Sequence, residues 1–256
     1  MILSGTENVT SNGFEHSMKR PFIGIPMYPP VKDENYTVPR GYISAVRRAG
    51  GTPLPFPPGE ENAVAWSEMI DGLILAGGGD VDPRNYLEDP AASTASSPPE
   101  RVDAERDRTE FEVLSCAMER KIPILAVCRG CQVLNVHLGG TLFPHIPDHF
   151  GDQIAHGIPA HNFAKHSVEL VGESALAKKL GSTTMEIFSS HHQAVDRVAD
   201  PLKVVGHAPD GCIEALDMDD YPWLVAVQWH PEEAAASDPV QQRLFDQLVQ
   251  AARKTD

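Results

Sequence analysis

Apolar positions along this chain follow two alternating rhythms. Short, nearly unbroken apolar runs of strand length stand at 22–26, 53–56, 72–76 and 123–127. Between them, apolar residues recur three or four positions apart, the period of a helix with one buried face. A helix is expected from about Pro39, with Tyr42, Val46 and Ala49 on one face and Gly50-Gly51 as its stop. A second is expected at 61–70. A third, charged helix at about 101–120 is expected to present Phe111, Leu114 and Met118 to the core. Past residue 160 the pattern changes to closely spaced strand candidates at 166–171, 185–189, 203–208, 211–217 and 223–229. The pattern closes on an amphipathic helix at 239–253 carrying Val240, Leu244, Leu248 and Ala251. Residues 88–100, rich in Pro, Ala and Ser, read as an exposed loop.

Strands that alternate with helices predict an α/β fold with a mostly parallel central sheet covered by helices on both faces. The later strands, separated only by turn residues, predict an added antiparallel region on the same domain, taken as 21–256. In such sheets the working residues gather at the carboxyl ends of the strands. Three segments stand there: 77–83, 128–132 and 230–232.

The most informative of these is Cys128. The apolar run Ile124-Leu125-Ala126-Val127 stops at the cysteine, and apolar residues then fall at Cys131, Leu134 and Leu138. This predicts strand, tight turn and helix, with small residues at Ala126 and Gly130 to let the elements approach. The arrangement follows the logic of the nucleophile elbow written G-x-S-x-G in hydrolases. A thiol at a helix N-terminus sits where the helix dipole favours the thiolate. By itself the residue could equally be a buried structural cysteine.

His230-Pro231-Glu232 follows the apolar strand candidate at 225–229. If the segment is extended, side chains at i and i+2 point the same way, and Glu232 can orient the imidazole of His230. The glycine run Gly77-Gly78-Gly79 has neither the Lys-Ser/Thr pair of a P-loop nor the G-x-G-x-x-G spacing. Its best use is backbone N–H groups aimed at an oxyanion. Cys128-x-x-Cys131 also has dithiol redox spacing, though without the aromatic and proline context of such sites. Eleven histidines raise metal binding, but no H-E-x-x-H or paired C-x-x-C spacing occurs, and no metal is expected. Asp80, Asp82, Asp103, Asp107 and Glu110 are expected to cap helices or remain solvated.

Composition narrows the classes. A formal net charge of -15 argues against nucleic acid as a partner. No apolar run approaches the roughly 20 residues of a membrane span. Four cysteines at irregular spacing do not make a disulfide framework, so a reducing, cytoplasmic setting is expected. The polar residues 1–20 lack the apolar segment of a secretory signal and read as a flexible extension.

Taken jointly, three motifs resemble a class I glutamine amidotransferase-like domain: Cys128-Arg129-Gly130-x-Gln132, Ser189-x-His191-His192-Gln193 and Gln228-Trp229-His230-Pro231-Glu232. Two further stretches, Leu75-Ala76-Gly77-Gly78-Gly79-Asp80-Val81-Asp82-Pro83 and Arg106-Asp107-x-x-Glu110, resemble more narrowly the gamma-glutamyl-gamma-aminobutyrate hydrolases of peptidase family C26. The resemblance runs from about Pro21 to the C-terminal helix. It implies a flavodoxin-like fold and hydrolysis of a small gamma-glutamyl amine, without metal or organic cofactor, with a homodimer also open. Carried over by position, Cys128 is the nucleophile, His230 the base and Glu232 its orienting partner. Backbone N–H groups of Gly78 or Gly79 and of Arg129 would hold the oxyanion. Gln132, Ser189, Ser190, His191 and His192 would bind the glutamyl head. Two readings compete: a glutaminase subunit delivering ammonia to a synthase, and a dithiol redox protein using Cys128 and Cys131. Ala76 and Phe188 stand where this family usually has Pro and often has Asn, and Cys131 fills the variable position of the nucleophile motif.

Overall fold

The computed structural model describes residues 20–30, 35–157 and 162–253. The extension expected at 1–20 lies outside the described residues except for Arg20. Among the described residues the strands are β1 (Phe22–Pro26), β2 (Thr52–Phe56), β3 (Gly72–Leu75), β4 (Ile124–Val127), β5 (Leu142–Phe143), β6 (Ala164–Leu170), β7 (Thr184–Ser189), β8 (Ala194–Val195), β9 (Lys203–His207), β10 (Ile213–Asp217) and β11 (Leu224–Val227). The helices are α1 (Arg40–Arg48), α2 (Ala63–Met69), α3 (Ala104–Glu119), α4 (Arg129–His137), α5 (Pro147–Phe150), α6 (Ala175–Leu180), α7 (Pro231–Ala234) and α8 (Pro239–Ala252).

Nine strands form one sheet in the order β2-β1-β3-β4-β11-β10-β9-β6-β7. The first five in that order run parallel, and β11, β10, β9, β6 and β7 pair antiparallel in turn. The expected parallel sheet with an antiparallel extension is therefore what these residues build. Two short strands, β5 and β8, pair separately.

Strand alternation divides the core. Ile74, Leu125, Val127, Val225 and Val227 pack on one face with Tyr42 and Val46 of α1 and Leu244, Phe245 and Leu248 of α8. Their neighbours Leu73, Leu75, Ile124, Ala126, Leu224 and Ala226 pack on the other with Leu114 of α3 and Val133 of α4. Successive strand residues point to opposite faces, so wholly apolar four-residue runs are what a sheet covered on both sides requires.

Helix α3 departs from expectation. Its buried residues are Arg106, Asp107, Thr109, Glu110, Val113, Leu114 and Ala117, whereas Phe111 and Met118 are only partly buried. The helix is rotated so that the charged side of its first half faces inward, because those charges have partners there. The carboxylates divide accordingly. Asp103 and Asp82 cap α3 and the short 3₁₀ turn Pro83–Asn85, as expected. Asp107 and Glu110 are instead buried in ion pairs.

Candidate active site

Three neighbouring parallel strands, β3, β4 and β11, end at the same edge of the sheet. Each runs into a chemically distinctive segment. After β4, Cys128 takes φ 51 and ψ −107, a positive φ that a side-chain-bearing residue adopts only at a cost. Its N–H donates to the Val227 carbonyl at 2.8 Å, and α4 starts at the next residue. Gly130 makes the sharp turn possible: a Cβ there would overlap the carbonyl of Leu75. Cys128 is 2% exposed, with its sulfur 3.7 Å from the Ser190 carbonyl. At the start of α4 the N–H groups of Arg129 and Gly130 have no partner inside the helix.

After β11, His230 caps α7 and Glu232 lies in that helix's first turn, with Pro231 at its first position. The two side chains meet, Nδ1 to Oε1 at 2.7 Å. Their pairing therefore comes from a helix start rather than from an extended segment. The imidazole's other nitrogen, Nε2, is buried without a hydrogen-bond partner. Burial works against the charged imidazole, but the charges of Cys128 and Glu232 outweigh it and raise the His230 pKa well above the ordinary histidine value. This electrostatic coupling marks Cys128 and His230 as neighbours.

After β3 comes the glycine turn. Gly77 N–H donates to the Tyr42 hydroxyl at 3.0 Å, and the Gly77 carbonyl accepts from the Arg106 guanidinium at 2.6 Å. Since the peptide is trans, the Gly78 N–H points away from Arg106. Gly78 has φ 144, and a Cβ there would collide with Arg106 Nη1. The guanidinium is held in turn by Glu110, Nε to Oε1 at 2.7 Å, while Arg129 pairs with both Glu110 and Asp107. All four side chains of this cluster are at most 3% exposed. Burial lowers the Arg129 pKa, but Glu110 and Asp107 more than offset that and raise it. The Arg129 side chain is thus committed to the scaffold, and only its backbone faces the nucleophile turn.

The end of β7 and the segment after it close over this edge, the Phe188 carbonyl of β7 accepting from the His230 N–H at 2.8 Å. A cavity of about 770 Å³ opens beside this edge, with Gly78, Gly79, Ser190, His191 and His192 on its wall; Cys128, His230 and Glu232 adjoin it without lining it. His192 bonds Asp80 at 2.7 Å and His145 at 2.8 Å, and Asp80 raises its pKa. Gln132 and Ser189 are placed differently. Gln132 donates to the Gln193 carbonyl and the Gln228 side chain, and Ser189 Oγ donates to the His156 carbonyl, both from fully packed positions. These two residues brace the segment; neither is on the cavity wall.

Two further contributors stand outside the residues expected at the site. Gln193 ties the segment to the glycine turn, accepting from Val81 N–H at 2.9 Å and donating to the Tyr86 hydroxyl at 3.0 Å. Tyr28 lies against Arg106, which sits 4.6 Å from its ring centroid. Cys131, the other half of the possible dithiol, packs in the opposite core face from Cys128, and all four cysteines are free. Burial raises the Cys131 pKa far above that of an ordinary thiol.

The fold and this strand-edge arrangement define a class I glutamine amidotransferase-type α/β protein. The solved structure of a protein described as a "putative gmp synthase subunit a" from Thermoplasma acidophilum superposes with a TM-score of 0.61, at 13% identity, covering 91% of this chain and 95% of that one. The peptidase C26 family model matches residues 21–232, and the chain belongs to that family. Curated relatives include Protein NtpR of Enterococcus hirae, 37% identical over 216 residues, covering 83% of this chain and 88% of the relative. "Putative glutamine amidotransferase Rv2859c" of Mycobacterium tuberculosis is 36% identical, covering 91% and 75%. Gamma-glutamyl-gamma-aminobutyrate hydrolase PuuD of Escherichia coli is 28% identical, covering 93% and 96%. The chain is accordingly an enzyme of the hydrolase and amidotransferase-like type.

Proposed function

We propose that this protein hydrolyses the gamma-glutamyl amide bond of a small gamma-glutamyl amine through a Cys128 thioester. The observation that carries the reading is the strained Cys128 turn beside an imidazole whose Nδ1 is held by Glu232 and whose Nε2 is left without a partner. His230 accepts the thiol's proton through Nε2, which gives the thiolate. The thiolate attacks the gamma-carbonyl carbon, and the carbonyl oxygen takes the charge. The N–H of Gly78, turned away from Arg106, and that of Arg129 at the start of α4 donate to this oxyanion. His230 Nε2–H then protonates the leaving nitrogen as the C–N bond breaks, giving a thioester and a free amine. Water attacks the thioester with its proton passing to His230, and glutamate leaves as the thiolate re-forms.

The cavity wall offers both signs of charge to an amino-acid head, with Asp80, Glu100 and Asp152 beside Arg101 and His192. Ser190, His191 and His192 are the members of their segment that face this space. A volume of about 770 Å³ holds a glutamyl group together with a small amine. A relative named for glutamine amidotransferase activity supports a second reading, in which the same triad works on glutamine for a synthase partner.

Glutamate release from gamma-glutamyl-gamma-aminobutyrate, gamma-glutamyl polyamines, a gamma-glutamyl dipeptide and glutamine separates the two. Turnover of one gamma-glutamyl amine well above glutamine, abolished in Cys128→Ala, supports the hydrolase. Turnover of glutamine alone, or of nothing by the folded chain, overturns it.

A further inference from the structure

The antiparallel half of the sheet contains a second cluster of titratable groups. Glu214 on β10 is fully buried, and neither of its carboxylate oxygens receives a hydrogen bond. Three imidazole nitrogens face its Oε1: His156 Nδ1 at 3.3 Å, His191 Nε2 at 3.6 Å and His166 Nε2 at 3.7 Å. His156 Nδ1 and His191 Nε2 are 3.2 Å from each other. The three side chains are at most 4% exposed.

The outer ring nitrogens fix the tautomers. His156 Nε2 is 2.9 Å from the Asp210 carboxylate, His191 Nδ1 is 2.8 Å from the Gln193 carbonyl, and His166 Nδ1 is 3.1 Å from the Ser167 carbonyl. Each of those partners only accepts, so each outer nitrogen carries the hydrogen. In the neutral rings all three inner nitrogens therefore present lone pairs, and they present them to a carboxylate. With the rings neutral, no donor stands among these four acceptors. Such a buried assembly lacks a cation. A proton satisfies one pair at a time, whereas a metal ion satisfies all the donors together and balances the two carboxylates, Glu214 and Asp210.

We propose that this cluster is a structural zinc-type site with His156, His191, His166 and Glu214 as ligands. A tetrahedron with metal–ligand bonds of about 2.0–2.1 Å has edges of about 3.3–3.4 Å, and four of its six edges, at 3.2 to 3.7 Å, surround that value. Nitrogen-rich donors select a zinc-like ion over magnesium or calcium. The carboxylate and carbonyl contacts on the outer nitrogens are those that orient histidine ligands. Cys212 offers a further donor, its sulfur lying with His156 and Glu214 ligand atoms within 4.8 Å of one another. No spacing motif announces the site, because its residues come from a loop, β6, the segment after β7, and β10. The ion would pin that segment where its Ser190 carbonyl meets Cys128.

The test uses the full chain, without a histidine tag and carrying Cys128→Ala, so that the thiol beside His230 contributes no binding. After chelator treatment it is titrated with Zn²⁺ against a chromophoric competitor, and with Co²⁺ by visible absorption. One equivalent bound, with the intense d–d bands of tetrahedral cobalt, is the expected result. Asp210→Asn, which keeps every ligand, should weaken binding about 10–100-fold, and Glu214→Gln more. Absence of zinc binding by the folded parent chain overturns the proposal and assigns the cluster to bound protons. Binding that Asp210→Asn leaves unchanged also overturns it, and since Asp210→Asn alone makes that comparison, a Glu214→Gln protein that fails to fold does not impede the test.

Discussion

Replacing Glu110 by glutamine isolates what the buried charges beneath the glycine turn contribute. The substitution keeps the side-chain volume, so no cavity opens and the change is electrostatic. In the native protein two cations, Arg106 and Arg129, face two anions, Asp107 and Glu110, and the cluster is neutral. Glu110 accepts from both guanidiniums with its side chain fully buried. A glutamine can accept from only one of them, and its NH₂ then faces the other, donor against donor. The variant buries one net positive charge.

Removing one member of a buried pair and stranding its partner costs about 3–5 kcal/mol. For a chain of this size each kcal/mol moves the midpoint of melting by roughly 2–4 °C, so a fall of about 6–20 °C is expected. Urea unfolding should show a lower midpoint with an unchanged m-value. Glu119→Gln, on the exposed end of the same helix, should stay within about 0.5 kcal/mol. A loss below about 1 kcal/mol for Glu110→Gln would refute the reasoning, because it would mean that the guanidiniums are not desolvated or find other anions. Arg106 also holds the Gly77 carbonyl, so the variant should lose activity even where it remains folded.

Glu232→Gln removes one of the charges that raise His230, so the basic limb of the pH–rate profile should move to lower pH and kcat should fall by about 10²–10⁴; an unmoved limb would exclude Glu232 as the partner. For stability the sign follows from the raised folded pKa: the contribution of His230 is fully present below about pH 6.5, its unfolded value, and fades as pH rises through the folded one. The unfolding free energy of the parent, relative to His230→Gln, should therefore decline on the alkaline side, and a decline on the acid side would contradict the assignment. Gly130→Ala should cost about 1–3 kcal/mol by overpacking and should disable the Cys128 turn, since its Cβ meets the Leu75 carbonyl; unfolding curves and glutamate release read both effects. Cys131→Ser should retain turnover, whereas Cys128→Ser should not; equal loss in both would revive the dithiol reading.

The parallel half of the fold was legible because its strands are buried on both faces and therefore appear as unbroken apolar runs, as at 22–26 and 124–127. Elements too short to show a period escaped. The two-residue strands β5 and β8 give no pattern, and α6 is marked only by its Ser174 cap and the left-handed Gly181 at its end. Helix α3 shows its period in the sequence but not its buried face. Periodicity equates inward with apolar, whereas Arg106 and Glu110 turn inward because Arg129, Asp107 and the glycine turn neutralise them.

The site divides along the same line. Cys128, the glycine turn and His230 each follow a parallel strand, and in the order β3-β4-β11 those strands are adjacent. Parallel direction and adjacency suffice to bring three sequence-distant segments to one edge, so reading the strands also locates the segments. The antiparallel strands obey no such rule. Their register depends on pairings such as Ser167 with Glu186 and Glu169 with His207, which no local pattern announces. That register decides which residues of the segment after β7 face the cavity and which face Glu214. It is why Ser189, read with its neighbours as a substrate contact, donates to the His156 carbonyl instead, and why His191 touches both the cavity wall and the buried carboxylate. Two histidines adjacent in sequence thus meet different partners: His192 faces Asp80 on the glycine turn, and His191 faces Glu214. Substitution of His192 should therefore act on the cavity, and substitution of His191 on both the cavity wall and the scaffold beneath it.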